Sequence, residues 1–298
     1  MCPGISFAGC RARTRARVLF HASSRAGVST SSTLFLYHPL APSALQDEVI
    51  VLTGGANGIG ASLTDVASYD SVLNLFDKAM EIYGRIDHAV AGAGIGEIGN
   101  VFDPALTMET IRQNSPPTTK VMDVNLLGCL YFARIASVYL RQNRPDPKSD
   151  RSILLVSSVA GFKESPGLFV YQAAKHGVLG LMRALRLYLC APAHGIRVNC
   201  ICPWMTATAI IKGVQDGWME AGLPLNSPMD VAKVSAAVLG DVSLNGTSMY
   251  VEGGRMWETE ANIDRLEAQW LGEEPSQSSA RGQARNPRRI KQHEFTQN

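Results

Sequence analysis

Val49-Ile50-Val51-Leu52-Thr53-Gly54-Gly55-Ala56-Asn57-Gly58-Ile59-Gly60 is the stretch that decides the fold of this 298-residue chain. A short apolar run leading into a glycine-rich turn reads as a strand that passes into the start of a helix. Glycines let the backbone approach an anion closely, and the free N–H groups of a helix start face it, so the arrangement cradles a pyrophosphate. The spacing is Gly-x-x-x-Gly-x-Gly rather than the commoner Gly-x-Gly-x-x-Gly. Taken singly, such a turn is compatible with a purely structural role.

Beyond this turn the chain alternates as a parallel sheet with crossover helices does. The pattern predicts helices over 69–83, 121–142 and 168–190, and strands over 86–91, 152–157, 196–202 and 248–252. Residues 104–119 read as irregular and Pro-interrupted, 144–150 as a surface loop, and 205–237 as a loop-helix region. The expected class is α/β: one Rossmann-like, doubly wound parallel sheet.

The chemistry is carried by Val170-Tyr171-Gln172-Ala173-Ala174-Lys175. Four residues of separation place Tyr171 and Lys175 on one helix face, a turn apart. A phenol with a pKa of ~10 is a poor proton carrier at neutral pH, and a nearby ammonium favours its ionised form. Ser158, at the end of the apolar run Ile153-Leu154-Leu155-Val156, offers a hydroxyl that could hold a substrate oxygen beside the phenol. Tyr-x-x-x-Lys alone is more often a solvated pair, and the glycine-rich turn upstream is what gives it weight. His176 and His194 read as bystanders beside this set.

On these motifs, from Asp47 to Met256, the chain resembles the short-chain dehydrogenase/reductase family, in texture its fungal members related to 15-hydroxyprostaglandin dehydrogenase. The resemblance implies NAD or NADP as cofactor and assigns roles to residues. Thr53, Gly54, Gly58, Ile59 and Gly60 fit the cofactor turn, and Asp65-Val66 fits the pair that contacts the adenine ring. Asn125 fits the helix Asn whose backbone helps to hold a relay water. Ser158, Tyr171 and Lys175 fit the catalytic trio, with Tyr171 and Lys175 also against the cofactor. Arg197-Val198-Asn199-Cys200-Ile201-Cys202-Pro203 fits the strand after the catalytic helix, with Thr206 and Thr208 beyond it at the nicotinamide. Val251-Glu252-Gly253-Gly254 fits the final strand. The implied reaction interconverts a secondary alcohol and a ketone on a lipophilic small molecule, as in fungal secondary metabolism. The family's habit of pairing its two long helices implies a homo-oligomer through 121–142 and 168–190.

The chain departs from the family pattern in three places. Between Gly60 and Asp65 stand only Ala61-Ser62-Leu63-Thr64, where the family has a helix, a second strand, another helix and a third strand. One crossover unit takes about 30 residues. The expectation is a sheet lacking two strands on one side, with Val49–Leu52 as an exposed edge. Five extended residues span at most ~17 Å, enough to close such a gap. The residue that selects NAD or NADP ends the absent strand, so the choice is not legible. Gly92 replaces the Asn of the family's Asn-Ala-Gly, which removes an amide expected to pin the central strand. Trp204 stands where a Gly is usual after Pro203. A shortened enzyme, a gene model with a skipped exon and a non-catalytic remnant with weak cofactor binding all fit this pattern.

With 46% hydrophobic residues, the chain can bury one sizeable core. The formal charge of +2 averages unlike parts, since 46–271 carries 18 basic against 23 acidic residues. No basic face for nucleic acid is implied. The first 45 residues contain five Arg and no acid, the composition of an organellar transit peptide or of an unstructured extension. Their apolar stretches are too short for a membrane span. Residues 272–298, polar and Ser/Gln/Arg-rich, read as a disordered basic tail. Six cysteines show no metal-ligand spacing, and Cys200 and Cys202 alternate within an apolar strand. Buried thiols point to a reducing compartment, the cytoplasm or alternatively the mitochondrion.

Overall fold

The structure is a computed structural model that describes residues 45–54, 65–116, 119–144, 146, 149–190, 194–211 and 213–285. The chain enters through β1 (Ile50–Thr53) and continues into α1 (Tyr69–Tyr83) and β2 (His88–Ala91). Next come α2 (Met108–Gln113), α3 (Thr119–Met122), a π-helical turn (Asp123–Leu127) and α4 (Gly128–Tyr139). β3 (Ser152–Val156), α5 (Phe169–Tyr188) and β4 (Arg197–Pro203) come after these. The chain closes with α6 (Gln215–Glu220), α7 (Pro228–Gly240), β5 (Ser248–Glu252), β6 (Arg255–Glu258), α8 (Glu260–Arg265), α9 (Glu267–Leu271) and α10 (Glu273–Ala284).

The strands form one sheet in chain order, β1 to β6. β1 through β5 pair in parallel, whereas β6 runs antiparallel to β5. β3 and β4 are buried almost throughout, the mark of parallel strands covered on both faces. On one face, α1, α4 and α5 pack over a core that includes Phe76 and Phe132, whose rings meet edge to face at 5.0 Å. On the other face, α7 covers Leu154, Ile201 and Val251.

β1 behaves differently. Val51 and Thr53 are buried, but Ile50 and Leu52 are 38% and 50% exposed. Among the described residues no strand lies beyond β1, so it stands at the margin of the sheet. Residues 55–64, which include Gly58, Ile59 and Gly60, lie outside the described residues.

Local chemistry sets the boundaries of several helices. Ser68 caps α1 by accepting from Ser71 N, and Gly84, at φ 73°, ends it in the left-handed conformation that favours glycine. Ser227 and Asp230 form a reciprocal capping box at the start of α7, with Pro228 at the first helical position. The C-terminal part of the domain is fastened to the back of α5. Glu260, 4% exposed, accepts from Arg183 Nε and Nη2 at 2.8 Å each and from Arg186 Nη1 at 3.2 Å.

Four expectations need correction. Val251-Glu252-Gly253-Gly254 does not end the sheet. Gly253 and Gly254 adopt φ 55° and 74° and turn the chain straight back into β6. That double positive φ is what a two-residue hairpin turn requires, and Gly-Gly supplies it. The helix predicted over 121–142 begins at Thr119 and changes pitch at Asp123–Leu127 before running on to Tyr139. The segment 104–119 contains a helical turn and a half, α2, capped by Thr107 and burying nothing. The tail read as disordered is helical over Glu273–Ala284, although none of its residues is buried.

Candidate active site

The candidate side chains gather at the carboxyl ends of the parallel strands, where open α/β sheets place their ligands. Lys175, on α5, is 4% exposed, and its Nζ donates to the carbonyl of Val156 at 3.0 Å. An ammonium has three donors. The Tyr171 ring, one turn earlier on α5, lies with its centroid 5.6 Å from Lys175 Nζ. Among the described residues nothing hydrogen-bonds the Tyr171 hydroxyl, and the residue is half-buried.

Asn125 is fully buried within the π-helical turn. Its amide clamps Ile95 from both sides: Oδ1 accepts from Ile95 N and Nδ2 donates to Ile95 O, each at 2.9 Å. π-turns shift the backbone register within a helix and recur at functional sites. A Cβ built on Gly94 would lie 3.2 Å from Asn125 Oδ1 and 3.4 Å from Lys175 Nζ. These two polar groups therefore flank one spot on the loop after β2, which glycine keeps clear.

Ser158 comes just after β3. Its hydroxyl sits 3.5 Å from the carbonyl of Pro203 and accepts from Ala160 N at 3.3 Å. The neighbouring Ser157, which sequence reasoning passed over, donates to the carbonyl of Lys175 at 2.8 Å. That bond fastens the Ser158 loop to the helix bearing Tyr171 and Lys175. An apolar run ending in Ser-Ser beside a Tyr/Lys helix was the available signal, and it favoured neither serine over the other.

At the cofactor side, Thr53 is buried and its carbonyl accepts from Gly92 N at 3.1 Å. Gly54 has φ 78°, and a Cβ there would fall 2.4 Å from the backbone of Gly92. A Cβ at Gly92 would in turn meet the Thr53 carbonyl oxygen at 2.7 Å. The loss of the family's Asn at Gly92 thus accompanies close backbone contact between the ends of β1 and β2. The loop is pinned instead at Ile95, by Asn125. Asp65 is exposed, and its carboxylate accepts from Ala67 N at 3.0 Å in the turn before α1. Thr206 donates its hydroxyl hydrogen to the Trp204 carbonyl at 2.9 Å. Thr208 opens the short helical turn Ala209–Ile211. His176 is exposed, with its ring against the carbonyl of Gln172, and His194 lies beside the Tyr188 ring; neither joins the site.

Trp204, just after β4, begins an aromatic cluster. Its ring lies 5.5 Å from Trp218 and 5.8 Å from Tyr250, and Tyr250 in turn meets Phe162 at 6.2 Å and Trp257 at 5.6 Å. Beyond it, Ile210, Val214, Met219 and Leu223 are all exposed.

The described residues fit the nicotinamide end of a dinucleotide. A buried ammonium keeps donors to spare beside a glycine-lined loop, and a phenol stands one turn away. The glycines Gly58 and Gly60, which would cradle the pyrophosphate, fall outside the described residues.

A family model described as short chain dehydrogenase matches residues 61–217. The short-chain dehydrogenase/reductase ascJ of Acremonium egyptiacum is 32% identical over 256 residues, covering 74% of this chain and 83% of that protein. The 5'-hydroxyaverantin dehydrogenase of Dothistroma septosporum is 26% identical over 241 residues, covering 75% and 76%. A 3-oxoacyl-[acyl-carrier protein] reductase from Brucella melitensis, solved in complex with NAD, superposes with a TM-score of 0.57 at 24% identity, covering 71% of this chain and 88% of that one, and shares the fold. The chain belongs to the short-chain dehydrogenase/reductase family. It is an NAD(P)-dependent oxidoreductase acting on CH–OH groups of small molecules.

Proposed function

We propose that this enzyme interconverts a secondary alcohol and a ketone on a lipophilic molecule, with Tyr171 exchanging the proton at the substrate oxygen. The observation that carries the reading is the placement of Lys175 Nζ and Asn125 Oδ1 around Gly94, with the Tyr171 ring 5.6 Å from that ammonium. Lys175 would hold the nicotinamide ribose with the donors it does not spend on Val156. Ser158 would hydrogen-bond the substrate oxygen as charge develops there. The π-turn at Asn125 would keep a relay water. The nicotinamide ring supplies or takes the hydride when bound.

Thr53 and Gly54 would border the cofactor through their backbone, with Gly92 beside them and Thr206 and Thr208 at the nicotinamide. Support for a lipophilic substrate comes from the aromatic cluster at Trp204 and the exposed apolar residues Ile210, Val214, Met219 and Leu223. The fungal relatives suggest a product of secondary metabolism. We further infer that a crossover unit is absent after Gly60, which accords with the marginal position of β1. Leu130 and Val138 on α4 and Leu187 and Tyr188 on α5, all exposed, would pair two copies through these helices.

The test uses a planar lipophilic ketone, 1-tetralone, with NADH and NADPH in turn. Tyr171→Phe is expected to abolish turnover while leaving calorimetric cofactor affinity unchanged. Substantial residual turnover would refute the assignment of Tyr171.

A further inference from the structure

Helix α5 begins without a cap of its own. Leu168, at its N-cap, makes no side-chain capping bond, and its first turn holds no acid. A helix start leaves N–H groups with no intrahelical partner. Two of them are satisfied from far upstream by one side chain: Glu97 Oε1 accepts from Val170 N at 3.3 Å, and Oε2 accepts from Tyr171 N at 2.8 Å.

Glu97 stands on a loop that is itself held at two points. Gly92 N donates to Thr53 O at the end of β1, and Ile95 is clamped by the Asn125 amide. A Cβ on Gly96 would lie 3.4 Å from Ile210 Cγ2, so the loop runs close to the short helical turn Ala209–Ile211. One short strap thus runs from the edge of the cofactor turn, past Asn125, to the backbone of Tyr171.

We propose that Glu97 is a positioning residue: its carboxylate fixes the first turn of α5 and so aims the Tyr171 hydroxyl relative to Asn125 and Lys175. The carboxylate also lies at the positive end of the helix dipole, which strengthens the hold. Glu97 acts through the Tyr171 backbone, and no contact of its own with substrate is required. The inference rests on the reading of Tyr171 as the proton-transferring group.

The full-length chain is compared as wild type, Glu97→Ala, Glu97→Gln and Tyr171→Phe, with 1-tetralone as probe and well below each melting midpoint. Misplacing a reacting group by about 1 Å costs on the order of 100-fold. Glu97→Ala is therefore expected to lower kcat by about 10- to 100-fold, with KM and cofactor Kd held within roughly twofold. Glu97→Gln keeps an acceptor oxygen for Tyr171 N and is expected to recover most of kcat. A purely structural cap would lower the melting temperature and leave kcat unchanged, which overturns the proposal. So does a soluble Glu97→Gln whose kcat falls about 10-fold or more below wild type, a readout that needs no folded Glu97→Ala. An active Tyr171→Phe would sink the underlying reading, whereas an inactive Tyr171→Phe beside a fully active Glu97→Ala would sink this inference alone.

Discussion

Asn125→Leu removes a side chain that does two things at once for Ile95. The donor at Nδ2 and the acceptor at Oδ1 both reach Ile95 at 2.9 Å, and Asn125 is wholly buried. Leucine has nearly the same shape and leaves no large cavity, so the loss is one of hydrogen bonding. An orphaned buried donor or acceptor costs about 1–3 kcal/mol. Ile95 is half-buried, so water can partly replace the amide, which brings the expected total to about 2–4 kcal/mol. For a domain of this size that corresponds to a melting temperature lower by about 4–16 °C. Urea titration monitored by circular dichroism measures the change as a shift in midpoint at constant slope. Hydrogen exchange at the Ile95 amide locates it, with protection expected to drop at that amide and its loop neighbours. A variant within about 0.5 kcal/mol of wild type, with Ile95 still protected, would refute the view that Asn125 pins this loop.

Two other perturbations test the geometry. Restoring the family residue with Gly92→Asn should destabilise the protein by about 1–3 kcal/mol, because a Cβ would sit 2.7 Å from the Thr53 carbonyl oxygen; an unchanged or raised denaturation midpoint contradicts this. His88 is buried, and desolvation pushes its pKa down from 6.5 to about 4. The unfolded chain therefore binds a proton that the folded chain refuses between those values, so this contribution is full above pH 6.5 and is lost as pH falls toward 4. The effect is on the order of 3 kcal/mol, read as the difference in acid sensitivity between wild type and His88→Gln. Taking that difference sets aside Glu48, whose carboxyl burial and the neighbouring Asp87 raise to about 7. Equal acid sensitivity in the two proteins would contradict the assignment.

Much of the fold was legible because parallel strands covered on both faces write themselves as continuous apolar runs. β3 and β4 announce themselves in Ser152–Val156 and Arg197–Pro203 by composition alone. β6 did not, since its four residues Arg255–Glu258 carry no apolar run, and only the Gly-Gly turn before them hinted at a return. The helix over Glu273–Ala284 was hidden for a related reason: it has no apolar face, and periodicity is what betrays a helix. That Tyr171 and Lys175 share a face of α5 was readable because four-residue spacing is a local property. Glu97 was not, because the groups it satisfies lie 73 and 74 residues away, and no pattern in the chain joins a lone acid after Gly96 to the start of α5.

The helix carrying Tyr171 and Lys175 has a carboxylate at each end, Glu97 on the amides of its first turn and Glu260 on Arg183 and Arg186. It resembles a beam resting on two supports that belong to stretches of chain more than a hundred residues apart. Neither support is local to the helix, so both ends of α5 are secured only once the chain on either side of it has folded into place.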